Sequence, residues 1–178
     1  RTLGLVGYGV IARRVAELMR PLGMTFLTYS PRAPDAEIPD WVRRVALDDL
    51  VASADIVSLH NELTPETRHM FDAARLARMK RSAYLVNTAR GPIVDEGALA
   101  AALKDGTIMG AALDVFREEP IQADNPLVGL PNTVLTAHIG GLTRESEEAG
   151  GMAAVENLLA ILDDTLADTR VVVNRDAL

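Results

Sequence analysis

The sequence contains no cysteine. This excludes a disulfide scaffold, a thiol nucleophile and a cysteine-ligated metal site, and it suits a reducing cytoplasm, the compartment expected. Lysine is nearly missing, with Lys80 and Lys104 as its only occurrences, so the basic residues are almost all arginine. Net charge is −7, and no basic run is interleaved with aromatics. A nucleic-acid partner is therefore not expected. No apolar run approaches the roughly 20 residues of a membrane-spanning helix, so no membrane segment is expected either. The histidines His60, His69 and His138 are dispersed, without HxxxH or HxxE spacing, which argues against a bound metal. A serine hydrolase would need a GxSxG elbow, and there is none.

What is present is a chain of 178 residues, 48% apolar and 24% charged, the composition of one globular domain with a proper core. Short apolar runs alternate with helical patterns. Strands are expected at 3–6, 25–29, 55–59, 83–87, 110–115 and 133–136. Helices are expected at 10–21, 48–53, 73–79 and 94–106, with a last one starting near Thr143. Residues 30–40 read as a proline-rich loop. Ile11, Val15, Leu18 and Leu22 form the expected apolar stripe of the first helix, and Met152, Val155, Leu159, Leu162 and Leu166 that of the last. Gly150 and Gly151 inside that last helix each cost about 1 kcal/mol relative to alanine, which predicts close backbone packing there. Strands alternating with helices specify an α/β, doubly wound parallel sheet with both faces covered.

Residues 3–14 read LGLVGYGVIARR. Strand, then GxGxxA, then helix is the setting a dinucleotide fingerprint requires. Gly7 would allow the tight turn, and Gly9 would let backbone approach a pyrophosphate. Ala12, in third place, is small enough for the helix to pack on the strand. The N–H groups of Val10 and Ile11 would face the phosphates at the positive end of the helix. After the second strand an acid is expected to bind the adenosine ribose. Here the sequence is TYSPRA, with Ser30 in that place and Arg32 two residues on. A small hydroxyl does not repel a 2′-phosphate, and a guanidinium binds one bidentately. The reading tilts toward NADP over NAD.

In open parallel sheets, ligands bind beyond the carboxyl ends of the strands. Three polar residues fall there: Arg90 in VNTARGP, Glu119 in LDVFREEP and His138 in LTAHIGG. A hydride moving between nicotinamide and a carbonyl needs a proton donor at the oxygen, a task an imidazole suits. A carboxylate beside an imidazole fixes its orientation. An arginine holds a substrate carboxylate in fork geometry and polarises the carbonyl.

The stretches GYGVIA, DIVSLHNELTPETRHM, LVNTARGPIVDEGAL, GAALDVFREEP and LTAHIGG cover most of the chain. In order and spacing the sequence resembles the D-isomer-specific 2-hydroxyacid dehydrogenase family. The resemblance implies a Rossmann-type coenzyme-binding domain over 1–168. Residues 169–178 would lead back toward a substrate domain that is largely missing here, so this stretch alone is not expected to turn over substrate. It implies Arg90 as the substrate-binding arginine, His138 as the acid/base and Glu119, just before Pro120, as its partner. Thr88, Ala89, Asp114, Gly140 and Gly141 would line the nicotinamide side, with Val10, Ile11, Ser30 and Arg32 on the adenosine side and Thr67 of TPET also near the coenzyme. His60 would border the coenzyme, and His69 would cap or cover a helix. The implied activity is hydride transfer between NAD(P)H and a small 2-oxo or 2-hydroxy acid, in a homodimer. The alternative is a dinucleotide-sensing, corepressor-like binding module that keeps catalytic-looking residues. Two positions depart from the family: Ser30 replaces the acid of NAD-using members, and Glu62 in HNELTP stands where proline is common.

Overall fold

The computed structural model describes residues 1–172. Of the segment expected to lead toward a substrate domain, residues 173–178 lie outside the described residues. The chain divides into two compact units, Arg1–His138 and Ile139–Leu178.

The first unit runs β1 (Thr2–Val6), α1 (Val10–Met19), β2 (Thr25–Tyr29), β3 (Val42–Arg44), α2 (Leu47–Ser53), β4 (Ile56–Leu59), α3 (Ala73–Leu76), β5 (Tyr84–Asn87), α4 (Glu96–Lys104), β6 (Gly110–Leu113) and β7 (Thr133–Leu135). The strands form one sheet in the order β3-β2-β1-β4-β5-β6-β7, and every pairing is parallel. The chain winds outward from β1 through β2 to β3, then returns to β4 on the other side of β1. That reversal is the crevice of a doubly wound fold.

Both faces of the sheet are buried. Along β1, Leu3 and Leu5 point into one apolar cluster with Ala12 and Ala16 of α1, while Val6 points into the other with Leu50 of α2. Burying each leucine removes it from water for about 1.5–3 kcal/mol. Gly4 is small for a reason: a Cβ there would lie 2.5 Å from Leu50 Cδ2.

The register sets out the site. Val6 pairs with both Tyr29 and Leu59, Leu59 with Asn87, Asn87 with Leu113, and Leu113 with Leu135. Six strands therefore end level. The residues that follow, Gly7, Ser30, His60, Thr88, Asp114 and Thr136, leave one edge of the sheet in a row, at about 4.8 Å per strand.

Three expectations need correction. Of the stripe expected for the first helix, Val15 packs partly buried against the core, but Ile11, Leu18 and Leu22 are exposed, and the fully buried pair is Ala12 and Ala16. Close seating of α1 over the Gly-rich turn selects small side chains, so the larger ones face outward. The sheet has a seventh strand, β3, hidden in the sequence because it is a three-residue edge strand with two exposed arginines. In the second unit, α5 (Arg144–Leu162) starts where expected, with Thr143 as N-cap in a capping box with Ser146. It ends before Leu166, however, and Cβ atoms at Gly150 or Gly151 would meet nothing within 4 Å among the described residues. Met152, Val155, Leu159 and Leu162 of α5 are exposed. No helix of the described residues is long and apolar enough to cross a membrane.

Candidate active site

The turn after β1 is built for close approach. Gly7 has φ +89°, and a Cβ there would lie 2.9 Å from the backbone of His60 and Asn61. Its N–H donates to Tyr29 O at 2.8 Å. Gly9 differs: a Cβ on it would point into open space. α1 then begins with no side-chain cap and no acid in its first turn, so its leading N–H groups have no internal acceptor. An open cradle beside an uncapped helix N-terminus fits the pyrophosphate of a dinucleotide. The side chains of Val10 and Ile11 are both exposed, so the role expected of these two residues falls to their backbone N–H groups.

Between this turn and the β4 loop lies a cleft of about 520 Å³, lined among others by Gly7, Gly9, Ser30, Arg32, His60 and Thr67. The two residues read together for a 2′-phosphate are engaged separately. Ser30 is buried, and its hydroxyl accepts from Tyr8 N–H at 3.2 Å, tying β2 to the glycine turn. Arg32 reaches across the rim, with Nη1 3.5 Å from Glu62 Oε2. Thr67 organises the opposite wall: its hydroxyl donates to Glu62 O at 2.7 Å and accepts from Thr64 N–H at 2.7 Å. His60 lines the cleft. Its Nε2 lies 2.9 Å from Ser58 Oγ, and burial pushes its pKa down to about 4, so the imidazole is neutral at physiological pH. His69 is exposed, has φ +51° and donates its N–H to Pro92 O at 2.8 Å.

Further along the edge, Thr88, Ala89 and Arg90 leave β5 in a loop held by Asn87. The buried Asn87 side chain accepts from Ala89 N–H at 3.0 Å and donates to Arg90 O at 3.0 Å. Arg90 is exposed, and its Nη1 donates to Ala89 O at 2.6 Å. Gly91 is pressed against the β6 loop so closely that a Cβ would fall 1.9 Å from Phe116 C. Asp114, at the end of β6, accepts from Thr136 Oγ1 at 2.6 Å and donates its N–H to Asn87 O at 3.0 Å. It thereby ties the β5, β6 and β7 ends together.

The same loops bring the acid and the histidine into contact. Glu119 Oε1 accepts from Phe116 N–H at 2.9 Å, and Oε2 lies 2.7 Å from His138 Nδ1. The hydrogen bond from His138, followed by that from Phe116, holds the Glu119 carboxyl below its usual range. A carboxylate only accepts, so Nδ1 carries the proton, and Nε2 is the ring nitrogen turned away from Glu119. His138 itself sits at φ +55°, a left-handed backbone uncommon for a side chain of this size. Gly140 and Gly141 belong to the second unit, in the turn into α5. There Leu142 N–H donates to Ile139 O at 2.9 Å, and the Gly141 carbonyl accepts from Ser146 Oγ.

Asn87, Gly91 and Glu96 were not singled out from the sequence. Buried Glu96 accepts from Arg117 N–H and from Asn125 Nδ2 at 2.7 Å, so it anchors the loop that carries Glu119. Only their places in NTARGP and VDEGAL pointed to them.

A family model described as the D-isomer specific 2-hydroxyacid dehydrogenase NAD binding domain matches residues 1–140. The glyoxylate reductase of Aeropyrum pernix is 45% identical over 161 residues, covering 90% of this chain and 48% of that protein. The (S)-sulfolactate dehydrogenase of Chromohalobacter salexigens is 47% identical over 159 residues, covering 88% and 52%. The crystal structure of D-lactate dehydrogenase with NAD+ from Lactobacillus jensenii matches with a TM-score of 0.88 at 30% identity, covering 94% of this chain and 54% of that one. The chain thus spans about half the length of these relatives. With the glycine turn, the Arg90 loop and the Glu119–His138 pair on one sheet edge, the chain belongs to the D-isomer specific 2-hydroxyacid dehydrogenase family, in its NAD-binding domain.

Proposed function

We propose that the full-length protein transfers a hydride between NAD(P)H and a small 2-oxo or 2-hydroxy acid. The observation that carries this reading is the Glu119–His138 contact at 2.7 Å, with the second carboxylate oxygen fixed by Phe116 N–H. Bound nicotinamide supplies the hydride and accepts it in the reverse direction. His138 Nε2 gives a proton to the carbonyl oxygen on reduction, and Glu119 holds the ring and stabilises its charged form. Arg90 exchanges its bond to the Ala89 carbonyl for the substrate's carboxylate, orients the carbonyl and polarises it. Gly7, Gly9 and the first amides of α1 hold the pyrophosphate. Ser30, Arg32 and Thr67 stand on the adenosine side, and Thr88, Ala89 and Asp114 on the nicotinamide side. Ser30 in place of an acid supports a modest preference for NADP.

We further read residues 1–168 as the coenzyme domain, with 169–178 leading to a substrate domain that completes the pocket. The exposed apolar side chains Ile11 and Leu18 on α1, with Leu22 just beyond it, support a homodimer, and the cysteine-free composition is compatible with a cytoplasmic setting.

The test uses full-length protein, NADPH or NADH and a panel of 2-oxo acids, following loss of the reduced coenzyme. His138→Asn is the informative variant, because asparagine tolerates the left-handed backbone at this position. We expect kcat to fall about 10²- to 10⁴-fold with the melting temperature nearly unchanged. A His138→Asn protein that keeps its kcat would refute the role given to the imidazole.

A further inference from the structure

We propose that Glu62 controls coenzyme choice by competing with a 2′-phosphate for Arg32, a role that rests on the dinucleotide reading above. Among the described residues, Arg32 is the only Lys or Arg lining the cleft, whereas three carboxylates line it: Glu37, Glu62 and Glu66. Glu37 is paired with Arg13 at 2.8 Å. Glu66 accepts from the Thr64 hydroxyl at 2.7 Å and feels the Arg32 charge only as a minor influence. Glu62 faces the guanidinium directly, Oε2 to Nη1 at 3.5 Å.

Its position is built rather than accidental. The Glu62 carbonyl accepts from Thr67 Oγ1 at 2.7 Å and from Asn61 Nδ2 at 3.2 Å. The TPET turn thus fixes the backbone from which this carboxylate reaches over the rim.

The consequence differs between the two coenzymes. A 2′-phosphate is a dianion that needs the guanidinium fork. To take it, the phosphate must displace Glu62 or lie beside it, like charge against like. A free 2′-hydroxyl makes neither demand. Both side chains are largely exposed, 77% and 84%, so the penalty is moderate and weakened by salt. Glu62 therefore acts as a brake on NADP(H) binding while leaving NAD(H) nearly untouched.

The experiment measures dissociation constants of NADPH and NADH for full-length protein at low salt, from the fluorescence of the reduced coenzyme. Wild type, Glu62→Gln, Arg32→Gln and the double variant are compared. In Glu62→Gln, NADPH is expected to bind about 3- to 10-fold more tightly, and NADH to change less than about twofold. In the Arg32→Gln background the Glu62→Gln effect should shrink to less than about twofold, since the contested group is gone. An unmoved NADPH-to-NADH ratio, or equal tightening of both, would overturn the proposal. So would a full-sized effect without Arg32, which would mean direct repulsion instead of competition. If wild type binds neither coenzyme, the dinucleotide reading fails and this proposal with it; binding with an unmoved ratio removes this proposal alone.

Discussion

At Gly91 a single hydrogen atom lets two loops meet. The residue follows Arg90 and touches the backbone of Phe116, whose N–H holds Glu119. A methyl group would sit 1.9 Å from Phe116 C, and backbone cannot swing away as a flexible side chain can. For Gly91→Ala we expect a loss of about 1–3 kcal/mol of stability from overpacking, together with a lower kcat/KM as the Arg90 and Glu119 loops separate. Urea denaturation and steady-state kinetics on full-length protein read both. Unchanged values would mean that the loops are not joined here. Legibility at this scale was uneven. Arg90, Glu119 and His138 could be named from their motifs. Asn87 and Glu96 could not, because a buried amide or carboxylate looks like a solvated one until the sheet closes over it.

At the scale of the element, the β1–α1 junction separates two uses of glycine. Gly7 serves the fold, with φ +89° and backbone at 2.9 Å from its missing Cβ. Gly9 has ordinary backbone angles, and open space where a side chain would go. The variants should therefore diverge. Gly7→Ala is expected to destabilise the protein by about 1–3 kcal/mol. Gly9→Val should leave thermal stability within about 0.5 kcal/mol of wild type yet weaken coenzyme binding at least tenfold, because the side chain occupies the approach to the helix N-terminus. Thermal melts and coenzyme titrations separate the two, and a stable Gly7→Ala or a tightly binding Gly9→Val would contradict the assignment. The same helix shows where periodicity misleads. Ile11, Val15, Leu18 and Leu22 fit a buried stripe, but only Val15 packs against the core, and contact distance put Ala12 and Ala16 in the fully buried places. The strand–turn–helix signal was sound; the face was not, because hydrophobicity alone does not register how closely a helix must seat.

The whole molecule turns a one-dimensional order into a spatial one. Six of the seven strands end level, so motifs spread along the sequence become a row along one edge. This explains why the site could be read from motif order even though β3, an edge strand of three residues, went unseen. The row also holds a half-buried histidine, and its proton couples to global stability. His60 lies at the end of β4 beside Ser58, with its pKa pushed down from 6.5 to about 4 by burial. Between those values the unfolded chain holds a proton that the folded chain refuses. Stability therefore falls as pH drops through that window, with a slope of up to about 1.4 kcal/mol per pH unit, and this group has no effect above about pH 7.5. His60→Gln keeps a hydrogen-bonding partner for Ser58 but cannot titrate. Denaturation of coenzyme-free full-length protein at pH 7.5 and pH 5 should show the wild type losing about 1–2 kcal/mol more than His60→Gln over that interval. Parallel losses in the two proteins would mean that the imidazole takes up its proton in the folded state as readily as in the unfolded one, so that His60 titrates at its ordinary value instead of staying neutral down to about pH 4.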